Sequence, residues 1–174
     1  MTIDYRSLIR DIPDFPKEGI LFRDITPLLA DGEAYRTAIR QLGEQAKAWG
    51  AEVIVGPEAR GYVVGAPLSY ALGVGFVPVR KRGKLPAQTV SVTYDLEYGR
   101  DILEIHTDAI RPGQKVVLAD DLLATGGTMA ATMELVRKLG GEVVGAAFFI
   151  ELSALNGRSK LDDIPVCTLV KYED

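Results

Sequence analysis

Two adjacent carboxylates, Asp120 and Asp121, follow the apolar run Val116–Ala119, and shortly after them comes Ala124-Thr125-Gly126-Gly127-Thr128. A helical pattern continues from Thr128 to Leu139. The start of a helix presents unpaired backbone N–H groups and the positive end of its dipole, and both favour an anion. Gly126 and Gly127 let the backbone approach that anion closely, while Thr125 and Thr128 add hydroxyl donors. A phosphate monoester suits such a loop. Carboxylates accept hydrogen bonds from vicinal hydroxyls, so Asp120 and Asp121 suit a sugar diol. A ribose 5-phosphate satisfies both features at once. The plainer alternative is that the acids cap the strand end and the glycines only make a turn. Neither G-x-x-x-x-G-K-[ST] nor G-x-G-x-x-G occurs, which removes support for an ATPase loop or a dinucleotide site.

A second strand-to-helix junction, Gly56-Pro57-Glu58-Ala59-Arg60-Gly61, could hold another anion, with Arg60 neutralising it, or could be an ordinary turn. Arg80, Lys81, Arg82 and Lys84 cluster around Gly83, and form either a solvated face or a mobile arm that closes over a polyanion. Phe22 and Leu122 could sandwich a flat base, or simply pack in the core. Glu97 reads on its own as an exposed loop acid. His106 is the only histidine and reads as an exposed strand residue, and Cys167 is the only cysteine. One of each cannot build a His-Ser-Asp arrangement, a His/Cys metal cluster or an intrachain disulfide. Met129 and Met133, one helical turn apart, read as core.

These groups must be positioned by a chain of 174 residues, the size of one ordinary domain. With 47% hydrophobic and 25% charged residues it can bury a full core. A net charge of −4 argues against nucleic acid as a partner. The polar residues after Met1 and the lack of a long apolar run predict neither a secretory leader nor a membrane span. With the lone cysteine, that predicts a cytoplasmic protein. Tyr5–Asp11 reads as a short helix and Pro13–Pro27 as mostly irregular, forming a cap over one end. Asp31 is a candidate N-cap for a helix whose seam is Tyr35, Ile39, Leu42, Ala46 and Trp49. Strands are predicted at Glu52–Val55, Gly75–Arg80, Lys115–Ala119, Glu142–Ile150 and Val166–Lys171, with helices at Tyr62–Leu72 and Thr128–Leu139. Ser91–Tyr94 and Asp101–Thr107 alternate like a hairpin. The repeated β-α-β order predicts an α/β fold: a mainly parallel twisted sheet flanked by helices.

The run Val116–Thr128 resembles the ribose-phosphate-binding motif of the type I phosphoribosyltransferases: an apolar strand, two acids, then T-G-G-T. Phe15–Pro27, Arg80–Pro86 and Leu96–Gly99 resemble the adenine-using branch of that family, so the likeness covers nearly the whole chain. The resemblance implies one domain over residues 1–174, with a base-binding hood at 1–30 and a flexible catalytic loop at 80–99. It implies transfer of a 5-phosphoribosyl group from 5-phosphoribosyl 1-pyrophosphate to adenine, giving AMP and pyrophosphate, in purine salvage. In that reading Asp120, Asp121, Ala124, Thr125, Gly126, Gly127 and Thr128 hold the ribose phosphate. Glu58, Ala59, Arg60, Arg80, Lys81 and Lys84 belong to the pyrophosphate site, with a non-proline cis peptide expected at Glu58-Ala59. Leu21, through its backbone, Phe22, Arg23 and Leu122 surround adenine. Glu97 handles a purine-ring proton, Tyr98 beside it shields the reacting centre, and Arg60 shares the catalytic role. Mg²⁺ is expected to arrive on the diphosphate rather than on a protein cage, and the chain to form a homodimer.

Two rival classes are weighed against this. A transferase of the same fold could use hypoxanthine, xanthine or orotate; the Phe15–Pro27 cap argues for adenine. A non-catalytic sensor of phosphoribosyl pyrophosphate would need a nucleic-acid-binding module or a basic face, which a chain of this length and charge lacks.

Overall fold

Five mostly apolar runs meet side by side in one sheet, and those at its centre, Val53–Pro57 and Val116–Ala119, are apolar throughout because both faces are buried. The computed structural model describes residues 2–96 and 99–174. Its elements are β1 (Arg10–Pro13), β2 (Leu21–Asp24), α1 (Thr26–Ala30), α2 (Gly32–Ala48), β3 (Val53–Pro57), α3 (Tyr62–Leu72), β4 (Gly75–Lys81), β5 (Thr89–Leu96), β6 (Gly99–His106), β7 (Lys115–Leu123), α4 (Gly127–Lys138), β8 (Glu142–Leu152) and β9 (Val166–Tyr172). The main sheet runs β5-β6-β4-β3-β7-β8-β9. β4 to β9 across its centre are parallel, and the β5–β6 hairpin extends one edge antiparallel.

The two faces of β7 feed two cores. Val117 and Ala119 join the cluster built with α2 and α3, around Leu42, Leu68 and Phe149. Val116 and Leu118 join the cluster built with α4, around Leu135, Met129, Met133 and Phe148. The period-2 alternation of a strand thus seats helices on both sides. Asp31 caps α2 as expected, its carboxylate accepting the Ala34 N–H at 3.1 Å.

Several elements differ from the sequence reading. Tyr5–Leu8 is only a single 3-10 turn, and Arg10–Pro13 is a strand. Within Pro13–Pro27 the irregular stretch is confined mainly to residues 14–20: Leu21–Asp24 is a strand pairing antiparallel with β1, with Ile12 opposite Phe22. Between them Asp14 (φ 56°) and Gly19 (φ 87°) turn the chain, and the Asp14 carboxylate accepts the Gly19 N–H at 2.9 Å. A two-stranded ribbon gains its hydrogen bonds across the turn, so neither half shows a strand pattern alone. β7 continues through Asp120 and Asp121 to Leu123, because β8 runs alongside it as far as Glu151. His106 is half-buried rather than exposed, and its Nε2 accepts the Ala87 N–H at 3.2 Å. No helix of the described residues is long and apolar enough to cross a membrane.

Candidate functional site

β3 and β7 are neighbours, and their carboxyl ends open into one cleft of about 250 Å³. It is lined by Glu58, Ala59 and Arg60 from one loop and by Asp120 through Met129 from the other. In a parallel sheet this is where ligands collect. The Glu58-Ala59 peptide is cis, at the bond named from the resemblance. Arg60 Nε lies 3.3 Å from Asp121 Oδ2, so the two strand ends are tied across the cleft.

Asp121 is only 3% exposed, and its backbone N–H donates to Asp120 Oδ1 at 2.8 Å. Burial pushes the Asp120 carboxyl well above the ordinary carboxylate range, and the charge of Asp121 pushes it further; the Arg60 guanidinium opposes both. A buried acid beside a half-buried one, with a single cation paired to the former, is poorly satisfied by the protein alone. Sugar hydroxyls would supply the missing donors.

The loop after the acids enters α4 through Gly126, at φ 87°, with no side-chain cap on the first N–H groups. Gly126, Gly127 and Thr128 at this helix start line the cleft, and Thr125, which lines it too, is exposed. Sequence reasoning missed two neighbours of this loop. The Tyr94 hydroxyl lies 3.5 Å from Thr128 Oγ1; the alternation of Val90, Val92 and Tyr94 along β5 was the available signal. Gly157, in the β8–β9 connection, packs directly beneath Gly126 and carries no local signal at all.

The basic run is not free. Glu58, 11% exposed at its side chain, binds Arg80 Nε at 3.2 Å and Lys84 Nζ at 2.8 Å, and accepts the Lys81 N–H at 2.9 Å. Lys81 Nζ lies 3.4 Å from Asp101 Oδ2. Burial raises the Glu58 carboxyl, but these hydrogen bonds and charges outweigh it and hold the group below its usual range. Glu58 thus anchors the cations at the edge of the cleft it helps to line. Glu58→Gln is expected to weaken binding of inorganic pyrophosphate at these cations about fivefold by loosening that positioning, as calorimetry would read. Tighter binding would mean that Glu58 competes with the anion for the same cations.

The hood reaches the cleft through Phe22. The Arg60 guanidinium stacks 5.2 Å from the centre of its ring, and Phe15 packs edge-on against it at 5.1 Å. Leu21, beside it, is 47% exposed. Leu122 is half-buried between the acids and the loop. Arg23 is buried and committed elsewhere: it pairs with Asp11 at 2.6 Å and Asp174 at 3.6 Å, and stacks 3.8 Å over the Tyr172 ring. Its guanidinium fastens the hood to the C-terminus. Arg23→Met should lower the melting temperature by about 4 °C in a thermal melt. An unchanged melting temperature would show that the pair does not hold the two ends of the chain together. Glu97 and Tyr98 lie outside the described residues.

Residues 25–172 match the phosphoribosyl transferase domain family. An adenine phosphoribosyltransferase of Brevibacillus brevis is 61% identical over 98% of this chain and all of that one. The chain belongs to the adenine phosphoribosyltransferase family. The crystal structure of the adenine phosphoribosyltransferase from Thermoanaerobacter pseudethanolicus superimposes with a TM-score of 0.94 at 54% identity, over 97% of this chain and 98% of that one. The Saccharomyces cerevisiae adenine phosphoribosyltransferase, solved with an imino-altritol bisphosphate and adenine, is 42% identical with a TM-score of 0.91, over 95% and 96% of the two chains. The fold described above is thus that of an adenine phosphoribosyltransferase.

Proposed function

We infer that this chain transfers the 5-phosphoribosyl group from 5-phosphoribosyl 1-pyrophosphate to adenine, yielding AMP and pyrophosphate. The observation that carries the reading is the pairing of Asp120 and Asp121 with the uncapped N-terminus of α4 in one cleft, with Arg60 lining it opposite and Phe22 stacked against Arg60. The family match supports the choice of reaction.

The bond that breaks joins the anomeric carbon to a pyrophosphate oxygen, and the transition state has oxocarbenium character. Positive charge grows on the ribose ring. Asp120 and Asp121 would accept hydrogen bonds from its 2- and 3-hydroxyls and oppose that charge. The 5-phosphate would sit on the N–H groups of residues 124–128, with the Thr125 and Thr128 hydroxyls. Negative charge grows on the leaving diphosphate, where Arg60, Arg80 and Lys81 would meet it, Glu58 holding Arg80 and the Lys81 backbone in place. Ala59 contributes backbone and Lys84 a further cation at the same end. Adenine would lie against Phe22 and Leu122, its edge read by the backbone of Leu21. Adenine pairs with a backbone donor and acceptor, whereas a 6-oxopurine would leave buried groups unpaired. The proton lost from adenine is assigned to Glu97, with Tyr98 shielding the centre.

Among the described residues no group of three or more His, Cys, Asp or Glu is placed to hold a metal ion. Asp121, the more buried acid of the pair, is already engaged by Arg60. Such a donor set fits an ion that keeps its waters and is carried by the diphosphate. Bound there, Mg²⁺ would neutralise leaving-group charge. The same reading includes a homodimer and a cytoplasmic setting.

The test is a steady-state assay with Mg²⁺, phosphoribosyl pyrophosphate and a panel of adenine, hypoxanthine, guanine and orotate. Selective AMP formation is the expected result. Turnover of another base would keep the ribose-phosphate site and overturn the base assignment. Binding without turnover would make the chain a sensor.

A further inference from the structure

The β8–β9 connection touches the phosphate loop from below, outside the cleft. Glu151 is the β8 residue in register with Leu123, the last residue of β7 before the loop. It is 4% exposed, yet it is ionic: Arg158 donates to both its oxygens, Nε at 2.7 Å and a terminal nitrogen at 2.8 Å. Thr168 Oγ1 adds a third hydrogen bond at 3.1 Å from β9. This bidentate pair closes the connection on itself and fixes the residue before Arg158, which is Gly157.

Gly157 is buried, and its φ lies outside the positive range, so its own backbone does not demand glycine. The demand comes from contact. A Cβ at Gly157 would lie 2.5 Å from the Ala124 carbonyl oxygen and 2.9 Å from Leu123 Cδ1. A Cβ at Gly126 would lie 2.5 Å from the Gly157 carbonyl oxygen. Two backbones therefore meet at their closest possible approach, one of them the loop that presents N–H groups to an anion. Neither Glu151, Arg158 nor Gly157 lines the cleft.

We infer that the Glu151–Arg158 pair and Gly157 are positioning residues that set the height of the Ala124–Gly127 backbone, and through it the affinity for a 5-phosphate. Arg158 reaches the substrate through no contact of its own. It acts by pressing Gly157 against the loop. The inference rests on the ribose-phosphate reading of that loop, and it predicts an effect confined to phosphate-bearing ligands. The base is held from the other side, by the hood.

The experiment uses the full chain as Gly157→Ala, and as the Glu151→Gln/Arg158→Gln pair, which removes the bidentate clamp without stranding a buried charge. Calorimetry with ribose 5-phosphate and with adenine is read beside KM for each substrate. Gly157→Ala is expected to weaken ribose 5-phosphate about ten- to hundredfold, since a displacement of the order of an ångström suffices for such a loss. The paired variant should show a smaller loss in the same direction, and adenine affinity should stay within about twofold in both. If Gly157→Ala does not fold, the paired variant carries the same comparison. Unchanged ribose 5-phosphate affinity, or equal weakening of both ligands, would overturn the inference. A wild-type chain that binds ribose 5-phosphate but makes no AMP would overturn the proposed reaction while leaving this positioning role testable by the same titration.

Discussion

Asp120→Asn should lower kcat/KM by about two to three orders of magnitude and at the same time make the free enzyme more stable at neutral pH. The loss follows from the charge. A neutral amide can still accept the Asp121 N–H that Asp120 Oδ1 accepts at 2.8 Å, so local geometry survives. What disappears is the negative charge facing the ring as it becomes cationic. The gain follows from linkage. Burial, then the charge of Asp121, raise the folded pKa of Asp120 above its unfolded value. A raised carboxyl contributes stability that is fully present below the unfolded pKa and is lost as pH climbs through the folded one. As pH rises above the unfolded carboxyl pKa the wild-type chain progressively loses that contribution, whereas an asparagine has no proton to lose. Each kcal/mol relieved should raise the melting temperature by about 2–4 °C for a chain of this size. The pH-dependence of melting above the unfolded carboxyl pKa should also flatten. Thermal melts of both proteins across that range, with and without ribose 5-phosphate, measure both effects. A variant that melts lower than wild type at neutral pH would show that Asp120 is not held at a cost. Retained activity would show that its charge does not meet the ribose.

Gly126→Ala should be nearly as damaging to activity, for a steric reason. Its φ of 87° is a left-handed conformation, which costs an alanine about 1–2 kcal/mol before any contact is counted. The added methyl would then lie 2.5 Å from the Gly157 carbonyl oxygen, a backbone atom that cannot rotate away. Either the phosphate loop rises or the β8–β9 connection falls. In both cases the N–H groups at the start of α4 leave their common focus, and affinity for the 5-phosphate should drop by about a hundredfold. Adenine alone should bind as before. Comparing ribose 5-phosphate and adenine titrations of the variant separates this from general unfolding, which would lower both together. By contrast, a methyl at Gly127 would come only as near as 3.8 Å to the Tyr94 ring, an ordinary contact, so Gly127→Ala serves as the mild neighbour.

The sequence by itself determined what depends on local pattern. Buried strands such as Val53–Val55 and Val116–Ala119 are apolar on both faces, and α3 was legible to the residue as Tyr62–Leu72. The two acids, the glycine-bearing loop and the helix that follows are contiguous, so a phosphate and a diol could be inferred from one short run of residues. The reading of residues 56–61 as a pyrophosphate site, like the cis bond at Glu58-Ala59 that the structure contains, came from resemblance rather than from spacing.

The tertiary structure decided what depends on residues far apart in the chain. Nothing near Arg23 predicts that it meets Asp174 and Tyr172 at the other terminus. Nothing near Glu58 predicts that it anchors Arg80 and Lys84. The ribbon of β1 and β2 was hidden because its pairing is satisfied across a turn containing a cis proline at Phe15-Pro16. Gly157 had no pattern at all: its demand for a bare Cα arises only when the β8–β9 connection is laid against the phosphate loop. Period and spacing report which groups share a face of one element. Ion pairs and backbone contacts between elements exist only once the sheet brings their ends together, and there the site acquires its charge balance and its height.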